Sequence, residues 1–241
     1  MSISSRRDEA QDADERIPPG WRRLHEAAWL GSRAWHGFGH LGPRGPEEGP
    51  PALVVPGFIA NDRTTMELRR VLGEAGWRTY PWDQGWNLGA RRDTVDRLRE
   101  RLDLIAPDRP VLVVGWSLGG VFARELARAH PQRVQAVVTL GSPFSGDPHL
   151  NNVWQLYEWV AGHKVDEPPI PRIPDKPPVP SLALWSRSDG IVSARAARGL
   201  AHESDHIVEL DCTHMAFGVS RRTARRVVQE ITSFLEIHGL R

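Results

Sequence analysis

Apolar residues along this chain occur in two alternating patterns. ALVV (52–55), VLVV (111–114), VQAVVTL (134–140), SLALW (181–185) and HIVEL (206–210) are short, nearly continuous apolar runs, and WRTY (77–80) is a weaker one. Runs of this length, rich in β-branched residues and bounded by turn formers, read as strands. Between them the apolar positions recur every three or four residues: Leu68, Val71, Leu72 and Ala75; then Val95, Leu98, Leu102 and Ile105; then Val121, Phe122, Leu126 and Ala129. A last set comprises Ala224, Val227, Val228, Ile231, Phe234 and Leu235. Each set predicts a helix with one buried face. The first should begin near Asp62 and stop at Gly76, the second should halt at Pro107, and Ser220 should cap the last. Strands that are apolar throughout are covered on both faces. The pattern therefore predicts an α/β fold, with a mainly parallel six-stranded sheet flanked by helices on both faces.

Two regions depart from this alternation. Between the fourth and fifth strands, Ser142–Pro180 is proline-rich and holds one helical stretch, Asn152–Ala161. Within that stretch Val153, Leu156, Tyr157 and Val160 share a face, and Trp154 and Trp159 lie off it. An insertion at this point over a sheet edge is expected to act as a short lid, about 143–180. Upstream, Trp21, Leu24, Ala28 and Trp35 follow a helical repeat, and GPRGPEEGPP (42–51) is a turn-rich linker. The expected organisation is a mobile tail at 1–19, a helical segment and linker at 20–51, and one domain at 52–241.

Composition narrows the function classes. The 241 residues carry 31 basic and 30 acidic side chains, a formal charge of +1, so no overall field favours nucleic acid or an anionic membrane. The single cysteine, Cys212, excludes an internal disulfide framework and a multi-cysteine metal site. No apolar run approaches the length of a membrane span, and the polar start of the chain lacks the apolar stretch of a signal peptide. A cytoplasmic protein acting on a small-molecule or lipid-like substrate, with no cofactor and no metal, is the expectation.

The chemistry concentrates at one sheet edge. Gly115-Trp116-Ser117-Leu118-Gly119 fits G-x-S-x-G and lies directly between the VLVV strand and a helix. A turn that tight requires small residues two before and two after the serine, and it lifts the hydroxyl above the sheet at a helix N-terminus. Serine is a weak nucleophile without an adjacent base. His214 follows the last strand, and Asp189, in SRSDGIV, follows the strand before it. Ser117, Asp189 and His214 thus occur in the order nucleophile, acid, base, each after its own strand. His202, His206 and His238 fit the base position less well, whereas Asp211 and Asp147 remain alternatives for the acid. An oxyanion hole needs two backbone donors; Leu118 and Phe58, in the Pro56-Gly57-Phe58 loop after the first strand, are positioned to supply them. Gly57 lets the backbone approach substrate closely. Trp116, Trp154 and Tyr157 are candidates for the substrate-binding wall. Trp82, Trp86 and Asn87, after the second strand, lie on the same edge.

On VVPGF, VVGWSLGG, TLGSPF, SRSDGIV and CTHMAF, the chain from about Ala52 onward resembles the α/β-hydrolase superfamily, in its small serine esterase/lipase-like branch. The string GWSLGG is also similar to the elbow of the pimeloyl-ACP methyl ester esterases, whose four-helix cap is longer than the insertion here. The resemblance implies cleavage of a carboxylic ester through an acyl-enzyme. Thioesterase, amidase/peptidase and acyltransferase chemistry use the same triad, and a catalytically inactive ligand-binding module is the reading from another class. Many relatives have His-Gly where this chain has Pro56-Gly57. A serine nucleophile separates it from the haloalkane dehalogenases, which use Asp. Other signals lack their structural context: Gly37–Gly42 matches G-x-G-x-x-G but follows no strand, His202 and His206 have no metal-binding helix, and Arg221, Arg222, Arg225 and Arg226 read as a solvated face.

Overall fold

The computed structural model describes residues 17–19, 21, 22, 26, 42–147, 149, 151, 154–170 and 172–240. Residues 1–16 of the expected tail at 1–19, and the helical positions Leu24, Ala28 and Trp35, lie outside the described residues. In chain order the domain comprises β1 (Pro51–Val55), α1 (Met66–Glu74), β2 (Arg78–Pro81), α2 (Thr94–Ile105), β3 (Val111–Trp116), α3 (Leu118–Ala129), β4 (Val134–Leu140), α4 (Trp154–Ala161), β5 (Ser181–Trp185), α5 (Ala194–Arg198), β6 (His206–Glu209), α6 (His214–Val219) and α7 (Arg221–Ile237). The six strands form one sheet in the order β2-β1-β3-β4-β5-β6, with every neighbouring pair parallel.

Alternate side chains of each strand enter different cores. Ala52, Val54, Leu112, Val114, Val138 and Leu184 face the layer made by α1, α6 and α7. Leu53, Val55, Val111, Val113 and Val137 face α2 and α3. Burial on both faces explains why these strands are continuously apolar instead of alternating. Because all strands run the same way, the loops that leave β1, β3, β4, β5 and β6 open on one edge.

The expected helix start near Asp62 moves to Met66. Asp62 is buried, and its two carboxylate oxygens accept from the amides of Trp82 (2.9 Å) and Asp83 (3.1 Å), so it holds the loop after β2 and is not a cap. Residues 42–50 are likewise more than a free linker: Arg44 exchanges backbone hydrogen bonds with Thr79, covering the outer edge of β2. The insertion after β4 is tied back by two arginines, one buried and one half-buried. Arg124 of α3 donates to the carbonyls of Pro174, Asp175 and Glu203 and stacks on Phe144, while burial lowers its pKa to about 10. Arg172 donates to the carbonyls of Pro143, Ser145 and Gly146.

Candidate active site

Ser117 sits between β3 and α3 with φ 53° and ψ −124°, a conformation that a side-chain-bearing residue adopts only when its surroundings impose it. The neighbouring glycines show what imposes it. A Cβ on Gly115 would lie 2.3 Å from the Gly119 carbonyl oxygen, and one on Gly119 would lie 2.4 Å from that of Val55. Gly120 is constrained too, since its Cβ would fall 1.9 Å from Ser142 Oγ. The spacing seen in the sequence is therefore a steric requirement of packing α3 against β1 and the exit of β4.

The loop after β1 reaches the same place. A Cβ at Gly57 would meet Ser117 Cβ at 3.0 Å, so only glycine passes here without displacement. Among the described residues, neither the Phe58 nor the Leu118 amide has a protein acceptor. The loop is held from behind by Asn87, a buried residue whose role the sequence left undecided. Asn87 Nδ2 donates to the Pro56 carbonyl at 2.8 Å, and its backbone exchanges hydrogen bonds with Ile59 and Ala60. Asn87 thus anchors the Pro56-Gly57-Phe58 loop. Trp82 is buried in the core and Trp86 is 53% exposed, so neither shapes a wall beside Ser117.

His214 begins α6 and Asp189 lies in the loop after β5; both are buried, and His214 Nδ1 is 2.7 Å from Asp189 Oδ2. The other oxygen, Oδ1, accepts from the amides of Ile191 and Val192, both at 2.8 Å. An ionised carboxylate only accepts, so Nδ1 carries the proton and Nε2 keeps its lone pair. Gly141, at the exit of β4, makes room: its Cβ would sit 3.0 Å from Asp189 Oδ2 and 3.2 Å from His214 Nδ1. The other aspartates are elsewhere, Asp147 paired with His149 at the surface and Asp211 accepting from Ser188 Oγ. Burial, the largest influence on the His214 imidazole, opposes its charged form. The Asp189 charge and hydrogen bond, with the Glu26 charge, outweigh it and hold His214 above the ordinary histidine range. Among the described residues no hydrogen bond joins Ser117 Oγ to His214. Such contacts are often long in unliganded enzymes and tighten on the substrate.

Glu26 is the residue that sequence reasoning missed. It is buried, and its carboxylate accepts from the amides of Gly190 (3.0 Å), His214 (2.7 Å) and Met215 (2.8 Å). The only local signal was a helical repeat upstream of the linker, with nothing to indicate where that helix would dock.

A cavity of about 700 Å³, including its open mouth, begins at Ser117 and Leu118. Its walls are mainly apolar, from Phe58, Val121, Phe122, Tyr157 and Ile170, with Arg172 and Asn151 at its polar margin. Tyr157 packs on Phe58, ring centroids 5.1 Å apart. Two of the expected wall residues are not there. Trp116 is drawn to the opposite side, where its Nε1 donates to the His214 carbonyl at 3.1 Å and its ring packs on the His214 imidazole. Trp154 stands edge-on to His149, away from the cavity. Leu156 is 44% exposed, so α4 turns Tyr157 inward but not its neighbour. Val153 lies outside the described residues. Burial and the nearby Asp189 and Glu26 charges push the Cys212 thiol up to about 12, which leaves it protonated and a poor nucleophile. Among the described residues no cluster of His, Cys, Asp and Glu could hold a metal ion, and no helix is long and apolar enough to cross a membrane.

Residues 78–163, which include β3, the Ser117 turn and α3, match the family model for the alpha/beta hydrolase fold. Over 82% of this chain and 94% of the other, the structure superposes with a TM-score of 0.59 on an α/β-hydrolase enzyme from sediment of the Mar Chica lagoon, 20% identical in sequence. This is an α/β-hydrolase-fold protein. Among curated relatives, a homoserine O-acetyltransferase of Trichlorobacter lovleyi is 30% identical over 159 residues, 56% of this chain and 43% of that protein. A pimeloyl-[acyl-carrier protein] methyl ester esterase of Salmonella heidelberg is 43% identical over 49 residues, 20% of this chain and 19% of that protein. The chain spans about half the length or less of the curated relatives it matches.

Proposed function

We propose that the protein is a serine hydrolase that cleaves carboxylic esters of modest to medium acyl length through an acyl-enzyme. The observation that carries this reading is the buried 2.7 Å pair of His214 and Asp189 on the sheet edge where Ser117 stands on its strained turn. In this mechanism His214 Nε2 takes the proton from Ser117 Oγ as the oxygen attacks the acyl carbonyl. Asp189 holds the productive tautomer and stabilises the imidazolium. The Phe58 and Leu118 amides receive the negative charge that develops on the carbonyl oxygen. Collapse of the tetrahedral species expels the alcohol, which takes the proton from His214. Water, deprotonated by the same imidazole, then releases the acid and restores Ser117.

The apolar cavity beside Ser117 supports an acyl-accepting role, with α4 and the segment around Ile170 serving as a short lid. A second reading, acyl transfer to an acceptor other than water, is supported by the likeness to a homoserine O-acetyltransferase. Hydrolysis of p-nitrophenyl esters from acetate to decanoate, by wild type and Ser117→Ala, tests the proposal. Turnover and fluorophosphonate labelling, both lost in the variant, are expected. A wild-type protein that is neither active nor labelled would overturn it in favour of a binding module. Product analysis with added homoserine or other alcohols separates hydrolysis from transfer.

A further inference from the structure

Arg22 and Glu26 each have helical backbone, and both contact the loops that carry the acid and the base. Arg22 donates to the Arg187 carbonyl, and its own backbone passes so close to Gly190 that a Cβ there would fall 2.9 Å from the Arg22 carbonyl oxygen. Four positions on, Glu26 Oε1 accepts from Gly190 in the Asp189 loop and from His214 in the next loop, and Oε2 accepts from Met215. These bonds link residues 164, 188 and 189 positions apart. Nearer the sheet the same two loops are joined by Ser186, whose Oγ donates to the Cys212 carbonyl at 2.6 Å, so Glu26 supplies the outer link, beside Asp189 and His214 themselves.

We propose that Glu26 is a positioning residue of the acid–base pair, its carboxylate clamping the loop of Asp189 to the first turn of the His214 helix. The segment upstream of the linker is thereby part of the site and not an appendage to it. A carboxylate suits the task because three converging N–H donors need an acceptor-only group with two oxygens. Glutamine offers one acceptor oxygen, and its amide would turn N–H against N–H at Met215. Glu26 also places a second negative charge near the imidazole. The charged or titratable groups facing His214 are Asp189 after β5, Glu26 upstream and Cys212 in its own loop, the last held protonated. Removing the Glu26 charge therefore favours neutral His214, and its titration moves to lower pH.

The catalytic meaning of this inference rests on the hydrolytic reading, but its test does not. The full chain carrying Glu26→Gln, with Glu26→Asp beside it, is compared with wild type by amide hydrogen exchange and by NMR titration of the His214 imidazole, assigned with His214→Asn. Exchange at Gly190, His214 and Met215 should quicken about tenfold in Glu26→Gln, the size expected for losing charge-assisted hydrogen bonds. The His214 midpoint should fall, Glu26→Asp should be intermediate, and Val113 in β3 should be unaffected. On a p-nitrophenyl ester, kcat should fall about tenfold with KM nearly unchanged, as for a residue that orients a catalytic group. Unchanged protection with an unmoved His214 midpoint would overturn the proposal, as would exchange that quickens equally in β3, which marks general loosening. If wild type neither turns over nor reacts with fluorophosphonate, the hydrolytic reading fails, and exchange and titration still decide the role of Glu26.

Discussion

The two halves of the candidate site are built in different ways. The nucleophile half is local: β3, the Ser117 turn and α3 follow one another within Val111–Ala129, and Gly115, Gly119 and Gly120 each clear a backbone or side-chain atom that a Cβ would strike. The acid–base half is assembled from distant parts. Asp189 and His214 come from two loops, and they are joined by Glu26 from far upstream, by Gly141 leaving β4 and by Trp116 through its indole N–H. A local device depends on sterics that any neighbouring residue reveals. An assembled one depends on hydrogen bonds whose partners are set only once the chain has folded, which makes it both harder to foresee and open to adjustment from a distance.

Five measurements probe that contrast, and the largest effect belongs to the nucleophile. Ser117→Ala should lower kcat for ester hydrolysis by about 10⁶-fold with the fold intact by circular dichroism. Retained turnover would move the reaction to another residue. In the assembled half, Asp189→Asn should cost about 10⁴-fold in kcat, because the amide favours the wrong imidazole tautomer. A loss of less than tenfold would mean that Asp189 is structural here.

Gly119→Ala tests the local half through stability. Its methyl group would press on the Val55 and Pro56 carbonyls, so thermal unfolding should show a loss of about 2–3 kcal/mol together with slower fluorophosphonate labelling. An unchanged Tm would show that the turn relaxes more cheaply than its contacts imply. Asn87→Ala, which releases the Pro56 carbonyl and the Gly89 amide, should reduce kcat roughly 10–100-fold while the His214 titration stays in place, since neither group touches the acid–base pair. The gentlest probe is pH. A general base must be neutral, and the pKa of His214 is raised, so kcat/KM should fall on acidification with a midpoint above the ordinary histidine value of about 6.5. An acid limb below that value would mean that burial, not Asp189 and Glu26, governs the imidazole.

Much of this molecule was legible without coordinates, for reasons that differ from element to element. The strand at 181–185 was read to the residue because an apolar run bounded by proline and polar residues has few alternatives. The Ser117 turn was legible because its serine and glycines stand together directly between a strand and a helix, although the atoms that demand Gly119 and Gly120 lie in β1 and just after β4. Asp62 misled because an aspartate before an apolar repeat also describes a cap, and only the folded loop after β2 shows its carboxylate engaged with Trp82 and Asp83. Trp116 misled because its neighbour is the candidate nucleophile. In a strand successive side chains point to opposite faces, and the indole belongs to the core beneath His214.

The sequence by itself determined the alternation of buried strands and one-faced helices, and hence a parallel sheet with its loops gathered on one edge. It also determined the serine turn, because the strand, the G-x-S-x-G spacing and the helix that follow one another there are local patterns. Tertiary structure alone decided which aspartate faces His214, which side chains wall the cavity and that Glu26 closes the acid–base half. Those outcomes depend on contacts between segments 25 to 189 residues apart, whose hydrogen bonds acquire direction and strength only when packing has removed the water between them.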